Sequence, residues 1–163
     1  MSHQKKIGER FFHDYQCNLP KPSSRKEQKV SNPMTRINVG INPEELCDLH
    51  LLAEYRELPR LWGKTSKTPA PNEFKLGTGH VLWCQQFQGM LHDRYTSIVR
   101  EMRFRGFNVS FPSPPEEAMN GMRPTDNDIK IARPLLIERI KERLSTMKRK
   151  PIWTNRPEGG QKT

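Results

Sequence analysis

Apolar residues return every three or four positions in three separate stretches of this chain, and prolines stand between the stretches. A period near 3.6 marks helices with one buried face, so the pattern predicts an all-α fold. The first stretch opens at Asn42-Pro43-Glu44-Glu45. Asn42 suits an N-cap, Pro43 the first helical position and Glu45 the capping-box position. Leu46, Leu49, His50, Ala53 and Glu57 then share one face, until Pro59 and Gly63 kink or end the helix. The second helix runs from about His80 to Arg105. Val81, Phe87, Leu91, Tyr95, Ile98 and Met102 form its inner face, and Gly106 is its stop. Residues 107–124 carry Pro112, Pro114, Pro115 and Pro124 and read as a rigid crossing loop. A third helix spans about Asp126 to Met147, with Pro134 at a bend or a start. Its apolar contacts are Ile129, Ala132, Leu136, Ile140, Leu144 and Met147. No stretch reads convincingly as a strand and none repeats another. The expected architecture is a single compact three-helix domain with long connecting loops.

Only 33% of the residues are apolar, so the core is small and part of the chain adds nothing to it. Residues 1–33 fit that part. They hold seven Lys/Arg against three acids, and Leu19-Pro20-Lys21-Pro22-Ser23-Ser24-Arg25-Lys26 reads as a linker without apolar periodicity. The expected division is a basic extension over 1–33 and a domain over 34–163. Phe11, Phe12 and Tyr15 fit either a short amphipathic turn or nothing ordered.

The formal charge is +10, which points to a polyanionic partner, and nucleic acid is the commonest one. Runs without polar residues, such as Pro134-Leu135-Leu136-Ile137, stay far from the ~18–20 residues of a membrane span. No apolar h-region follows the charged first ten residues. Three cysteines, Cys17, Cys47 and Cys84, fit a reducing compartment. The expectation is a cytoplasmic protein, with no membrane partner.

Several segments carry alternative readings. Gly77-Thr78-Gly79-His80 reads first as a helix start that needs glycine freedom and second as a phosphate contact. His80 and Cys84 share a helical face, but Cys47 and His50 have no matching partners, so no metal is expected. Lys148-Arg149-Lys150 either complements the dipole at the end of the third helix or binds phosphate. Arg100, Arg103 and Arg105 read as a solvated face. Glu54-Tyr55-Arg56-Glu57-Leu58-Pro59-Arg60 reads either as a surface ion-pair ladder or as a functional carboxylate among cations.

Four segments carry a resemblance. Met34-Thr35-Arg36-Ile37-Asn38, His50-Leu51-Leu52-Ala53-Glu54-Tyr55-Arg56-Glu57-Leu58-Pro59-Arg60, Leu76-Gly77-Thr78-Gly79-His80-Val81 and Arg105-Gly106-Phe107-Asn108 stand in one order. Together they resemble the pyrimidine-dimer DNA glycosylases of T-even bacteriophages, the phage endonuclease V family. The resemblance implies a compact three-helix protein that excises ultraviolet photoproducts and then cleaves the abasic strand. It places Thr35 and Glu57 on the family's nucleophile and catalytic acid. It places Arg36, His50, Arg56, Arg60 and Arg139 among the residues that hold DNA. Double-stranded damaged DNA is then the partner, the protein acts as a monomer, and no cofactor is needed. A viral source would set it in the host cytoplasm or nucleoid.

The chemistry explains the choice of residues. An amine that attacks a sugar C1′ must be unprotonated. An α-amine is roughly 10–20% free base at pH 7, and an ordinary lysine about 0.04%. Thr35 supplies such an amine when Met34 begins the chain and is trimmed. Glu57 would then stabilise the cationic sugar, assist ring opening and take the 2′ proton. The chain departs from the family in its first 33 residues, in a shorter loop after Gly63, and in a tail that keeps only Trp153 of the aromatics. If residues 1–33 are retained, the Thr35 nitrogen is an amide. A non-catalytic DNA-binding protein is then the rival reading. A glycosylase for another lesion is a third.

Overall fold

The computed structural model describes residues 36–157. Five α-helices and two short 3-10 turns make up its regular structure, with no strand among the described residues. Helix α1 is Asp48–Glu57, α2 Thr78–Gln86, α3 Gln88–Phe104, α4 Glu116–Met119 and α5 Asp126–Ser145. The all-α expectation holds, and α1, α3 and α5 fall where three helices were predicted. No helix among the described residues is long and apolar enough to cross a membrane.

The predicted second helix is in fact two. Phe87 leaves helical geometry at φ −105° and ψ 65°, which separates α2 from α3. The break is stabilised from outside the helices. The Gly89 and Met90 amides donate to the Met122 carbonyl, and the Gln88 side chain donates to the Leu61 and Gln85 carbonyls. Gly89 also lies against the 121 backbone so closely that a Cβ would stand 2.2 Å from the Gly121 oxygen. The far end of α3 matches expectation. Gly106 takes φ +83°, Phe107 N–H donates to Met102 and Gly106 N–H to Arg103, as in a Schellman stop.

The start of α1 differs from its prediction. Pro43–Glu45 forms a 3-10 turn with no side-chain cap from Asn42, and α1 begins only at Asp48. A later segment supplies the cap. Ile152 carbonyl accepts the Asp48 amide, Trp153 Nε1 donates to the Glu45 carbonyl, and Thr154 bonds the Asp48 carboxylate twice. Arg156 then forks onto Glu101 and lies 4.0 Å above the Phe104 ring. The chain just beyond Trp153 is therefore working structure. The buried face of α1 is also not the predicted one: Leu49 is 58% exposed, and Leu51, Glu54, Tyr55 and Leu58 face inward.

Helix α5 runs through Pro134 and carries a Thr125–Asp128 capping box. It ends before Lys148-Arg149-Lys150, so those exposed cations lie outside its last turn, which holds Arg143. Ala132 and Leu136 bring it into a core built on Ile37, Leu51, Leu58, Trp83, Leu91, Ile98 and Met102. Trp83 is ringed edge-on by Phe74 at 5.1 Å and Phe87 at 4.8 Å.

Gly89→Ala is expected to destabilise the fold by about 1–3 kcal/mol, because the added methyl meets backbone that has no room to move. Urea unfolding measures it.

Candidate active site

Helix α1 buries a carboxylate. Glu54 has no solvent exposure and accepts four hydrogen bonds. Its Oε1 takes the Asn38 amide at 3.1 Å and Arg94 Nε at 2.6 Å. Its Oε2 takes Asn38 Nδ2 at 2.9 Å and Arg94 Nη2 at 3.1 Å. Such a carboxylate is tolerated in a core only because charge and lone pairs are both satisfied. Arg94 comes from α3, and its remaining fork donates to the Ile41 carbonyl. The surface-ladder reading of Glu54 is thus overturned. Only Glu57 and Arg60, 3.5 Å apart, keep that character.

Asn38 joins this pair to α5. Its Oδ1 accepts from Arg139 Nη2 at 3.0 Å, and its Nδ2 also donates to the Arg36 carbonyl at 2.9 Å. Arg139 Nη1 reaches His80 Nδ1 on α2 at 3.1 Å. Burial and the neighbouring Arg139 pull the His80 pKa down to about 3. The ring is therefore neutral and Nδ1 is the acceptor. Burial, with Arg143 beside it, lowers Arg139 to about 10, so it stays charged at neutral pH.

Cations crowd the same region. His50 is held below its ordinary pKa by burial, then by Arg143, Arg139 and Arg36 in that order. Its Nδ1 is buried without a hydrogen-bond partner. Burial and Arg36 also lower Arg143. The structure therefore gathers His50, Arg139 and Arg36, the first of the described residues. Arg143 completes the group. It was missed in the sequence, although it lies four residues, one helical turn, after Arg139.

Glu57 ends α1 with its side chain 21% exposed, and Arg56 and Arg60 stand beside it in the open. Thr35 lies outside the described residues. Gly77, at φ +82°, is the N-cap of α2, in line with a helix start that needs glycine. Arg105 departs from the predicted solvated face: it is buried on Glu101 and Asp48, while Arg100 and Arg103 are exposed. Tyr55 stacks on Tyr95 and Phe111, and its hydroxyl accepts the Ser110 and Phe111 amides. Tyr95 and Phe111 also line a groove of about 500 Å³ with Arg100 and Arg103.

The family model described as pyrimidine dimer DNA glycosylase matches residues 34–113. Over these residues the chain is similar to that family. The match covers Arg36, Asn38, His50, Glu54, Arg56, Glu57, Arg60, His80 and Arg94, and it places this segment among DNA-repair glycosylases for ultraviolet damage. Arg139 and Arg143 lie beyond it, so the matched segment and α5 jointly build the cationic cluster.

A histidine held neutral in the fold gains its proton on unfolding. Between pH 6.5 and about 3 the unfolded chain then binds more protons, and stability rises with pH. From pH 7 to 5 His80 alone should cost about 2 kcal/mol. Thermal unfolding should show this loss, and His80→Gln should flatten it. An unchanged slope in the variant contradicts the assignment.

Proposed function

We propose that this chain is a DNA glycosylase and abasic-site lyase for pyrimidine dimers, working through an imine on the α-amine of Thr35. The family match over residues 34–113 carries the reading. The clustering of Arg36 and Arg143 beside His50 supports it, since DNA phosphates need such a surface.

In this mechanism the amine nitrogen attacks C1′ of the damaged nucleotide. The glycosidic C1′–N bond breaks with its electron pair on the leaving base. Opening of the sugar ring leaves an imine. Glu57 then takes a 2′ proton, the electrons close a double bond, and the 3′ phosphate departs. Water releases the enzyme from the imine. Arg36, Arg56, Arg60 and Arg143 hold the bent backbone, whose deformation costs least at a damaged step. DNA is the partner, and one copy of the chain suffices.

The reading requires a free amine at Thr35. In a chain that keeps residues 1–34 this nitrogen is an amide, and the protein then binds DNA without cleaving it. Intact mass of the natively expressed protein separates the two states.

A chain beginning at Thr35 is expected to be trapped on dimer-containing DNA by borohydride. Glu57→Gln should lower the trapping rate by at least about a hundredfold. Undiminished trapping in that variant, or none with the parent, contradicts the mechanism.

A further inference from the structure

Resting on that reading, we propose that Asn38 is the positioning residue for the amine of residue 35, and that Arg139 serves Asn38 rather than a DNA phosphate. The observation is the convergence of elements on one side chain. Asn38 offers two amide hydrogens, and both are used: one on Glu54 Oε2 and one on the Arg36 carbonyl. Its oxygen is used by Arg139. Its backbone amide rests on Glu54 Oε1. Glu54 belongs to α1 and is itself held by Arg94 of α3, whose other branch fixes the Ile41 carbonyl. Arg139 belongs to α5 and is steadied by neutral His80 of α2. Four helices thus fix residues 36–41 through Asn38.

This matters for an amine nucleophile at the end of a chain. A terminal residue has no preceding peptide to hold it, so its direction is set by the residue that follows. The Arg36 carbonyl is the last backbone acceptor before that terminus among the described residues, and Asn38 Nδ2 pins it. Misplacement of a nucleophile by about 1 Å costs on the order of a hundredfold in rate. Arg139 is only 8% exposed, and it forks onto two protein acceptors with the geometry of a brace. Lysine would keep the charge but cannot span both acceptors as a planar fork.

Two variants test this, Asn38→Ala and Arg139→Lys, with helix content checked by circular dichroism. In the full chain, hydrogen exchange at the Asn38 and Ile41 amides should quicken by about tenfold or more, while the centre of α3 stays protected. In the chain beginning at Thr35, borohydride trapping at saturating damaged DNA should slow by about tenfold or more, with Kd and its salt dependence within about twofold of the parent. Arg139→Lys trapping within twofold of the parent overturns the proposal, because a phosphate ligand tolerates that change. Unaltered exchange at Asn38 and Ile41 overturns it as well. Absence of trapping by the parent itself overturns the imine mechanism instead, and the exchange measurement still decides whether Asn38 and Arg139 hold the segment.

Discussion

A carboxylate removed from water must be neutralised and hydrogen-bonded where it sits, and for Glu54 a single arginine supplies the charge and a single asparagine the remaining donors. Removing either partner leaves charge or lone pairs stranded, at a cost of about 3–5 kcal/mol for a broken buried pair. The rest of the site depends on this bond set. It ties the extended segment before α1 to α1 and α3, and through Asn38 to α5. Packing alone would not place Asn38 so closely. Hydrophobic contacts are non-directional, whereas four hydrogen bonds on two oxygens leave little choice of position.

Around that anchor the charge is arranged in layers. The buried acid and Arg94 cancel at the centre. Next come His80 and His50, both kept neutral by burial and by nearby guanidinium groups. Outside them Arg36, Arg56 and Arg60 stand open to solvent, with Arg143 half-buried behind. Because the imidazoles stay neutral, they add no further charge to the repulsion among the cations. A polyanion would relieve the remaining repulsion, which supports the proposed DNA contact at this surface.

Much of the fold was legible because helical period, glycine stops and proline breaks are local signals. α3 and α5, with Gly106 and Gly77, followed from them. What misled was non-local. The break at Phe87 depends on Met122 and Gly121, more than thirty residues away in sequence. Glu54 interrupts the inward stripe of α1, so Leu49 looked like core and Leu51 did not. Arg105 and Arg139 look like surface residues until their partners are known, and the 152–156 segment caps α1 from the far end of the chain. The site was read from motif resemblance, which gave residue identities but not the brace behind them. Asn38 stood inside a quoted motif without a role.

The proposed mechanism turns on which nitrogen bonds to the sugar. The borohydride-reduced protein–DNA adduct, digested with nuclease and then trypsin and read by mass spectrometry, answers this directly. The sugar remnant is expected on the α-nitrogen of a Thr35-Arg36 dipeptide. A remnant on a lysine side chain, or on a peptide that still holds residues before Thr35, would contradict it.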